Sequence, residues 1–125
     1  MAPSRRGALG ARGEAAAAQW YRDASYRVLE RNWRCAEGEL DVVAASASGD
    51  VIVFCEVKTR TSGAFGSPFE AVTPAKQRRL RAVAVRWLRE ARPADVGYGR
   101  IRFDVAAARP APDGSIELEV MEDAF

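Results

Sequence analysis

The chain has 125 residues, 48% hydrophobic and 29% charged, with a net charge of +2, as expected of one soluble globular domain with its own core. No apolar run approaches the ~20 residues that span a bilayer, and the lack of histidine excludes Ser-His-Asp and Cys-His triads and any histidine base. Two cysteines, Cys35 and Cys55, without C-x-x-C spacing exclude a thioredoxin-like motif and a structural zinc site; they read as buried thiols in a reducing cytosol, with a mutual disulfide as the alternative.

The opening stretch MAPSRRGALGARGEAAAAQW bears a faint likeness to a transit peptide. It lacks the apolar segment of a secretory signal, and its alanines continue into a helix. Residues 1–6 are expected to be disordered, and a helix to cover 8–24 with Leu9, Gly13, Ala16, Ala17, Trp20 and Ala24 on one stripe. SYRVLERNWR reads as an edge strand through Tyr26 and Val28 that ends near Asn32. GELDVVAA and VIVFCEVKT form a hairpin across SASGD, followed by the Gly-, Ser- and Phe-rich loop TSGAFGSPFEAV. Thr73 then sets an N-cap with Pro74 at the first helical position. The helix over 74–91 buries Leu80, Val83, Ala84, Trp87 and Leu88 and carries Lys76, Arg78, Arg79, Arg81, Arg86 and Arg89 on its other faces. After the connector RPADVGYG, RIRFDVAA alternates with Ile101, Phe103 and Val105 inward, which puts Asp104 on the polar face beside an arginine. SIELEVM alternates again. The expected fold class is α/β: a single domain over 1–125 with one mixed sheet flanked by helices, in the order α-β-β-β-α-β-β.

The run VIVFCEVKTR poses the functional question. Its two faces, Ile52-Phe54-Glu56-Lys58 and Val51-Val53-Cys55-Val57, both begin apolar, as in a central strand covered on two sides. Glu56 and Lys58 therefore need partners, an ion or an opening to solvent. In GELDVV, Glu39 and Asp41 share one face, and Leu40 and Val42 the other. A two-residue loop Ser48-Gly49 pairs Ala47 with Asp50, setting Asp41 opposite Glu56 and Glu39 opposite Lys58. A loop two residues longer keeps the shared face.

Converging carboxylates call for a cation, and a hard ion such as Mg²⁺ takes oxygen ligands. Asp41, Glu56 and the Val57 carbonyl make such a half-site, with Lys58 placed to orient a water or stabilise charge on an attacked phosphate. The plain alternative is a rim ion pair between Glu56 and Lys58, with Asp41 exposed at its strand end. Charge is uneven: residues 74–102 hold nine Lys/Arg against two acids, and 103–125 one Arg against six. Such a bias suits either a polyanion-binding face or ordinary solvated helix surface. Thr59 and Arg60 are candidate phosphate contacts, with Glu70 an alternative partner for Arg60. Lys76 and Gln77 are placed to approach the scissile phosphate at a helix start. Phe65 and Phe69 are candidates for base stacking or loop anchoring.

These residues carry a resemblance. RGE-x-x-A at 12–17, Tyr26 to Asn32-x-Arg34, GELD at 38–41, FCEVKTR at 54–60, FGSPFEAVTPAKQRRL at 65–80 and RFDV at 102–105 resemble the YraN family of small bacterial proteins. The resemblance covers residues 7–107 and implies the restriction-endonuclease-like fold. The wider PD-(D/E)-x-K nuclease group, including archaeal Holliday junction resolvases, shares the helix–hairpin–helix layout. It implies Asp41, Glu56 and Lys58 as the catalytic set, Mg²⁺ or Mn²⁺ as cofactor and Glu14 as a fourth, metal-facing carboxylate. Glu14 also reads as an exposed first-turn acid favoured by the helix dipole. The aspartate of GELD lacks the preceding proline of the wider group, and Cys55 stands where an aliphatic residue is usual. The leading expectation is a cytoplasmic, metal-dependent nuclease acting on DNA, branched or damaged DNA included, through a basic face of Arg60, Lys76, Gln77, Arg78, Arg79 and Arg81. Its rivals are a nucleic-acid-binding module without turnover and a protein-interaction domain. No membrane partner is expected, and both a monomer and a homodimer are compatible with the sequence.

Overall fold

The computed structural model describes residues 7–61 and 72–125. In chain order the elements are α1 (Gly7–Asp23), β1 (Arg27–Cys35), β2 (Gly38–Ala45), β3 (Val51–Thr59), α2 (Pro74–Glu90), β4 (Arg100–Pro110) and β5 (Ile116–Met121). This is the α-β-β-β-α-β-β order expected from the patterning. The strands form one five-stranded mixed sheet in spatial order β1-β2-β3-β4-β5. Antiparallel pairing joins β1 to β2, β2 to β3 and β4 to β5, while β3 and β4 run parallel. A parallel pair needs a long crossover, and α2 supplies it.

Both faces of β3 are buried because each is covered by a helix. Ile52 and Phe54 pack with Leu40, Val43 and Phe103 against Val83, Ala84 and Trp87 of α2. Val53 and Cys55 pack with Val42, Ala44 and Ala106 against Ala17 and Tyr21 of α1. Helix α2 starts as its sequence requires: the Thr73 hydroxyl accepts the Lys76 N–H at 3.2 Å, and Pro74 occupies the first turn. Its buried residues are Leu80, Val83, Ala84 and Trp87, with Leu88 partly buried.

The buried stripe of α1 is Gly13, Glu14, Ala17, Ala18 and Tyr21, rotated from the predicted one. Alanine-rich turns offer little contrast between faces, so the tertiary contact decides. Gly13 marks that contact: a Cβ there would overlap the Thr59 hydroxyl and come within 3.2 Å of the Ala108 methyl. Only a bare Cα lets α1 close this far onto β3 and β4.

Strand β1 continues past Asn32, its expected end. Asn32 adopts a left-handed φ of 56°, and the β1–β2 register slips between Val28 and Glu30. Pairing then resumes with Trp33↔Leu40, Arg34↔Glu39 and Cys35↔Gly38; a bulge allows such a strand to bend and continue. The β2–β3 hairpin keeps its predicted register, with Val42↔Cys55, Val43↔Phe54, Ala44↔Val53 and Ala45↔Ile52. Its loop is longer than two residues, because Ser46 N–H bonds the Val51 carbonyl at 2.9 Å. The two extra residues leave the side-chain faces unchanged. Both cysteines are free; Cys55 is buried and Cys35 only partly so. No helix among the described residues is long and apolar enough to cross a membrane.

Asp104 corrects the reading of β4. It does pair with an arginine, but it is 0% exposed rather than on a polar surface. Arg102 grips it through two bonds of 2.9 Å, Tyr21 donates its hydroxyl at 2.5 Å and the Asp123 N–H donates at 2.9 Å. Strict alternation gave Arg102 and Asp104 to the second face of the sheet, which α1 covers.

Candidate active site

The site forms where the β2–β3 ladder opens. The last paired residues are Val42 and Cys55. Beyond them the Asp41 carboxylate, 5% exposed, accepts the Val57 N–H through Oδ2 at 2.8 Å. A side chain here serves a backbone donor that the parting strand leaves unserved. Asp41 is thereby held beside β3, not exposed at a strand end. Alternation in β2 slips at this point: Leu40 packs on the α2 side and Val42 on the α1 side, although period 2 would place them together. Glu39 follows a different course from the expected one. It pairs across β1 with Arg34 at 3.2 Å and does not oppose Lys58.

Glu56 meets two ammonium groups on one oxygen. Its Oε1 lies 3.2 Å from Lys76 Nζ and 3.5 Å from Lys58 Nζ. The side chains are 11% exposed for Glu56, 18% for Lys58 and 27% for Lys76, so the expected Glu56–Lys58 ion pair forms, but half-screened from water and joined by Lys76. Burial, and then the neighbouring Lys76, push the Lys58 ammonium below its ordinary range. Burial also works against Lys76, but the Glu56 and Asp41 carboxylates favour its charged form and raise it overall.

Glu14 approaches from the other face. It is 1% exposed and lies beyond the first turn of α1, which removes the reading of an exposed first-turn acid. A cleft of about 270 Å³ is lined by Leu9, Glu14, Val57, Lys58, Thr59 and Arg60. Glu14, Val57 and Lys58 thus share one cleft, with Arg60 at its rim. The close approach at Gly13 makes this possible.

The donor set fits a hard divalent cation. Asp41, Glu56, Glu14 and the Val57 carbonyl are all oxygen donors of the type that Mg²⁺ and Mn²⁺ take, and Glu56 already faces positive charge. Among the described residues no three His, Cys, Asp or Glu side chains converge at ligating spacing. An ion bridging these carboxylates therefore requires side-chain rotation.

The basic residues of α2 divide into different environments. Arg78 and Arg79 are exposed, the Arg79 stem passing over Gly38. Arg81 lies over Phe103 at 4.9 Å and over Phe125 at 5.4 Å, in a C-terminal aromatic stack. Arg86 is tied to Glu37 at 2.7 Å and Glu90 at 2.6 Å. The Gln77 amide donates to the Val72 carbonyl at 3.1 Å, bracing the segment before the helix. Arg60 is exposed and its N–H bonds the Ala108 carbonyl at 2.9 Å. Phe65, Phe69 and Glu70 lie outside the described residues, as do residues 1–6. Sequence reasoning missed the contact of Lys76 with Glu56. The available signal was topological, since a crossover helix begins near the end of the strand it follows.

The model of the "Uncharacterised protein family UPF0102" matches residues 13–108, a span that includes Glu14, Asp41, Glu56, Lys58 and Lys76. The chain is similar to a UPF0102 protein of Rhodococcus opacus (strain B4), with 46% identity over 118 residues that cover 94% of this chain and 96% of that one. A UPF0102 protein of Beutenbergia cavernae is 47% identical over 112 residues, covering 90% and 91%. One from Acidothermus cellulolyticus is 44% identical over 129 aligned positions, covering 98% and 96%. The chain belongs to the UPF0102 family, the YraN family that its motifs resemble.

Proposed function

We propose that this protein is a divalent-metal-dependent nuclease that hydrolyses DNA phosphodiesters, branched or damaged DNA included. One observation carries the reading: Asp41 is bonded to the backbone of Val57 at 2.8 Å, next to a half-buried Glu56 that shares its oxygen with Lys58. Asp41, Glu56 and the Val57 carbonyl are the residues to hold Mg²⁺ or Mn²⁺, with Glu14 reaching the same end of β3 from α1. When bound, the ion supplies an acidified water and draws charge from the attacked phosphate. Lys58 orients the water and stabilises negative charge developing on the phosphate, a role that suits a point charge held in low dielectric. Arg60, Lys76, Arg78 and Arg79 guide the polyanion, and Gln77 and Arg81 support the same helix surface. The free thiols fit a reducing, cytoplasmic setting.

The absence of three converging carboxylates among the described residues favours a second reading, a nucleic-acid-binding module without turnover. Incubation with plasmid, single-stranded and four-way-junction DNA in Mg²⁺, Mn²⁺ or EDTA separates the two. Cleavage in either metal that EDTA abolishes is the expected outcome. Binding without cleavage of any substrate assigns the module instead.

A further inference from the structure

The chain contains seventeen arginines but only two lysines, Lys58 and Lys76. Both lysines reach the same oxygen of Glu56, Lys76 at 3.2 Å and Lys58 at 3.5 Å. They come from different elements, β3 and the first turn of α2. Both ammonium groups therefore stand where a cation bound to Glu56 would, and the Asp41 carboxylate also acts on Lys76. A divalent ion joining Glu56 would face both positive charges within a few ångströms, so it competes most directly with the lysine better able to leave.

The two lysines are not equally able to go. Lys58 sits in the β3–β4 ladder, opposite Ala107 and followed by the Thr59↔Ala108 pair. Its stem lines the cleft of Glu14 and Val57, and its side chain is 18% exposed. Lys76 is rooted at the solvent edge, 27% exposed, on a turn that its backbone N–H shares with the Thr73 cap. Its four-carbon stem can swing the ammonium into water without any backbone change. Arginine would be a poorer occupant, since its planar fork is rigid and made for bidentate grip.

We infer that Lys76 is a resident counter-ion of Glu56, holding the place of the divalent cation until the ion displaces it. The inference rests on the metal reading above. Displacement sends the Lys76 ammonium toward the exposed side of α2, where Arg78 and Arg79 lie, so that loading the ion frees a further cation for phosphate.

Mn²⁺ titration by calorimetry on the full chain tests this, using wild type, Lys76→Met and Lys58→Met. Removing a resident competitor restores the fraction of competent sites, so Lys76→Met should bind Mn²⁺ about tenfold more tightly, with a smaller gain for Lys58→Met. A second measurement uses the wild-type protein alone. Amine-directed labelling read by mass spectrometry should show Lys76 becoming more reactive when Mn²⁺ is added, while Lys58 does not. If wild type binds Mn²⁺ but Lys76→Met gains nothing, or gains no more than Lys58→Met, the counter-ion role is wrong and the metal site stands. Unchanged Lys76 labelling in saturating Mn²⁺ overturns the role in the same way. If no variant binds Mn²⁺, the metal reading falls and the inference with it.

Discussion

Two charged clusters lie inside this small protein, and they are built on opposite principles. Around Asp104 every partner is supplied: Arg102 with two bonds, the Tyr21 hydroxyl and the Asp123 N–H. Arg102 extends the network to Glu122 at 3.2 Å and to the Tyr26 hydroxyl at 3.3 Å. That cluster joins α1, β4 and the C-terminal turn, and Asp104 at its centre is 0% exposed. Around Glu56 two cations share one carboxylate oxygen and keep contact with water, at 18% and 27% exposure. A satisfied buried network rigidifies a fold, whereas a half-open one leaves room for something to bind. Buried charge by itself therefore does not mark a site. What separates the two clusters is access.

The largest effect should come from breaking the closed cluster. Asp104→Ala leaves the Arg102 guanidinium buried without its carboxylate and should destabilise the fold by about 3–5 kcal/mol. Urea unfolding would show this as a lower midpoint at similar slope. A loss under about 1 kcal/mol, the scale of an exposed pair, would mean that water repairs the cluster and that the contrast with Glu56 is false.

Next comes the open cluster, where function should fall and stability should not. Lys58→Met should keep the fold and lose DNA cleavage by about 10²-fold or more, because the lost charge acts mainly in the transition state. DNA affinity should drop only by about one phosphate contact, visible as a slightly shallower salt dependence. Parallel small losses in binding and cleavage would make Lys58 an ordinary phosphate contact.

The smallest effect concerns pH and sharpens the same comparison. Burial, followed by the neighbouring Cys55 and Asp104, raises the Tyr21 hydroxyl well beyond its usual range. Burial likewise raises the Cys55 thiol. Both groups stay neutral in the folded chain and ionise in the unfolded one above their ordinary values. Their contribution is thus fully present below about pH 8.5 and declines as pH rises past about 10. Tyr21→Phe removes one of the two protons, so stability should fall less steeply between about pH 9 and 11, by up to ~1.4 kcal/mol per pH unit. Equal slopes for wild type and variant in thermal melts would show that Tyr21 ionises freely in the fold.

Local patterning determined a good deal by itself. Period-2 alternation in VIVFCEVKT, the i, i+3, i+4 stripe from Leu80 to Trp87 and the Thr73-Pro74 start are properties of neighbouring residues. For that reason the element order and the Val42↔Cys55 register were legible, although the ladder ends there and Asp41 meets the Val57 N–H instead of pairing opposite Glu56. Periodicity says which residues share a face, but not what covers that face or which distant group arrives there. That α1 closes at Gly13 and buries Glu14 was decided by packing between elements far apart in the chain. The same holds for Arg102 and Asp104, enclosed on the second face of the sheet, and for Arg81, drawn over Phe103 and Phe125. Lys76 reaches Glu56 for the same physical reason: the crossover returns α2 over β3 and sets two cations on one oxygen, a proximity that no spacing in the sequence encodes.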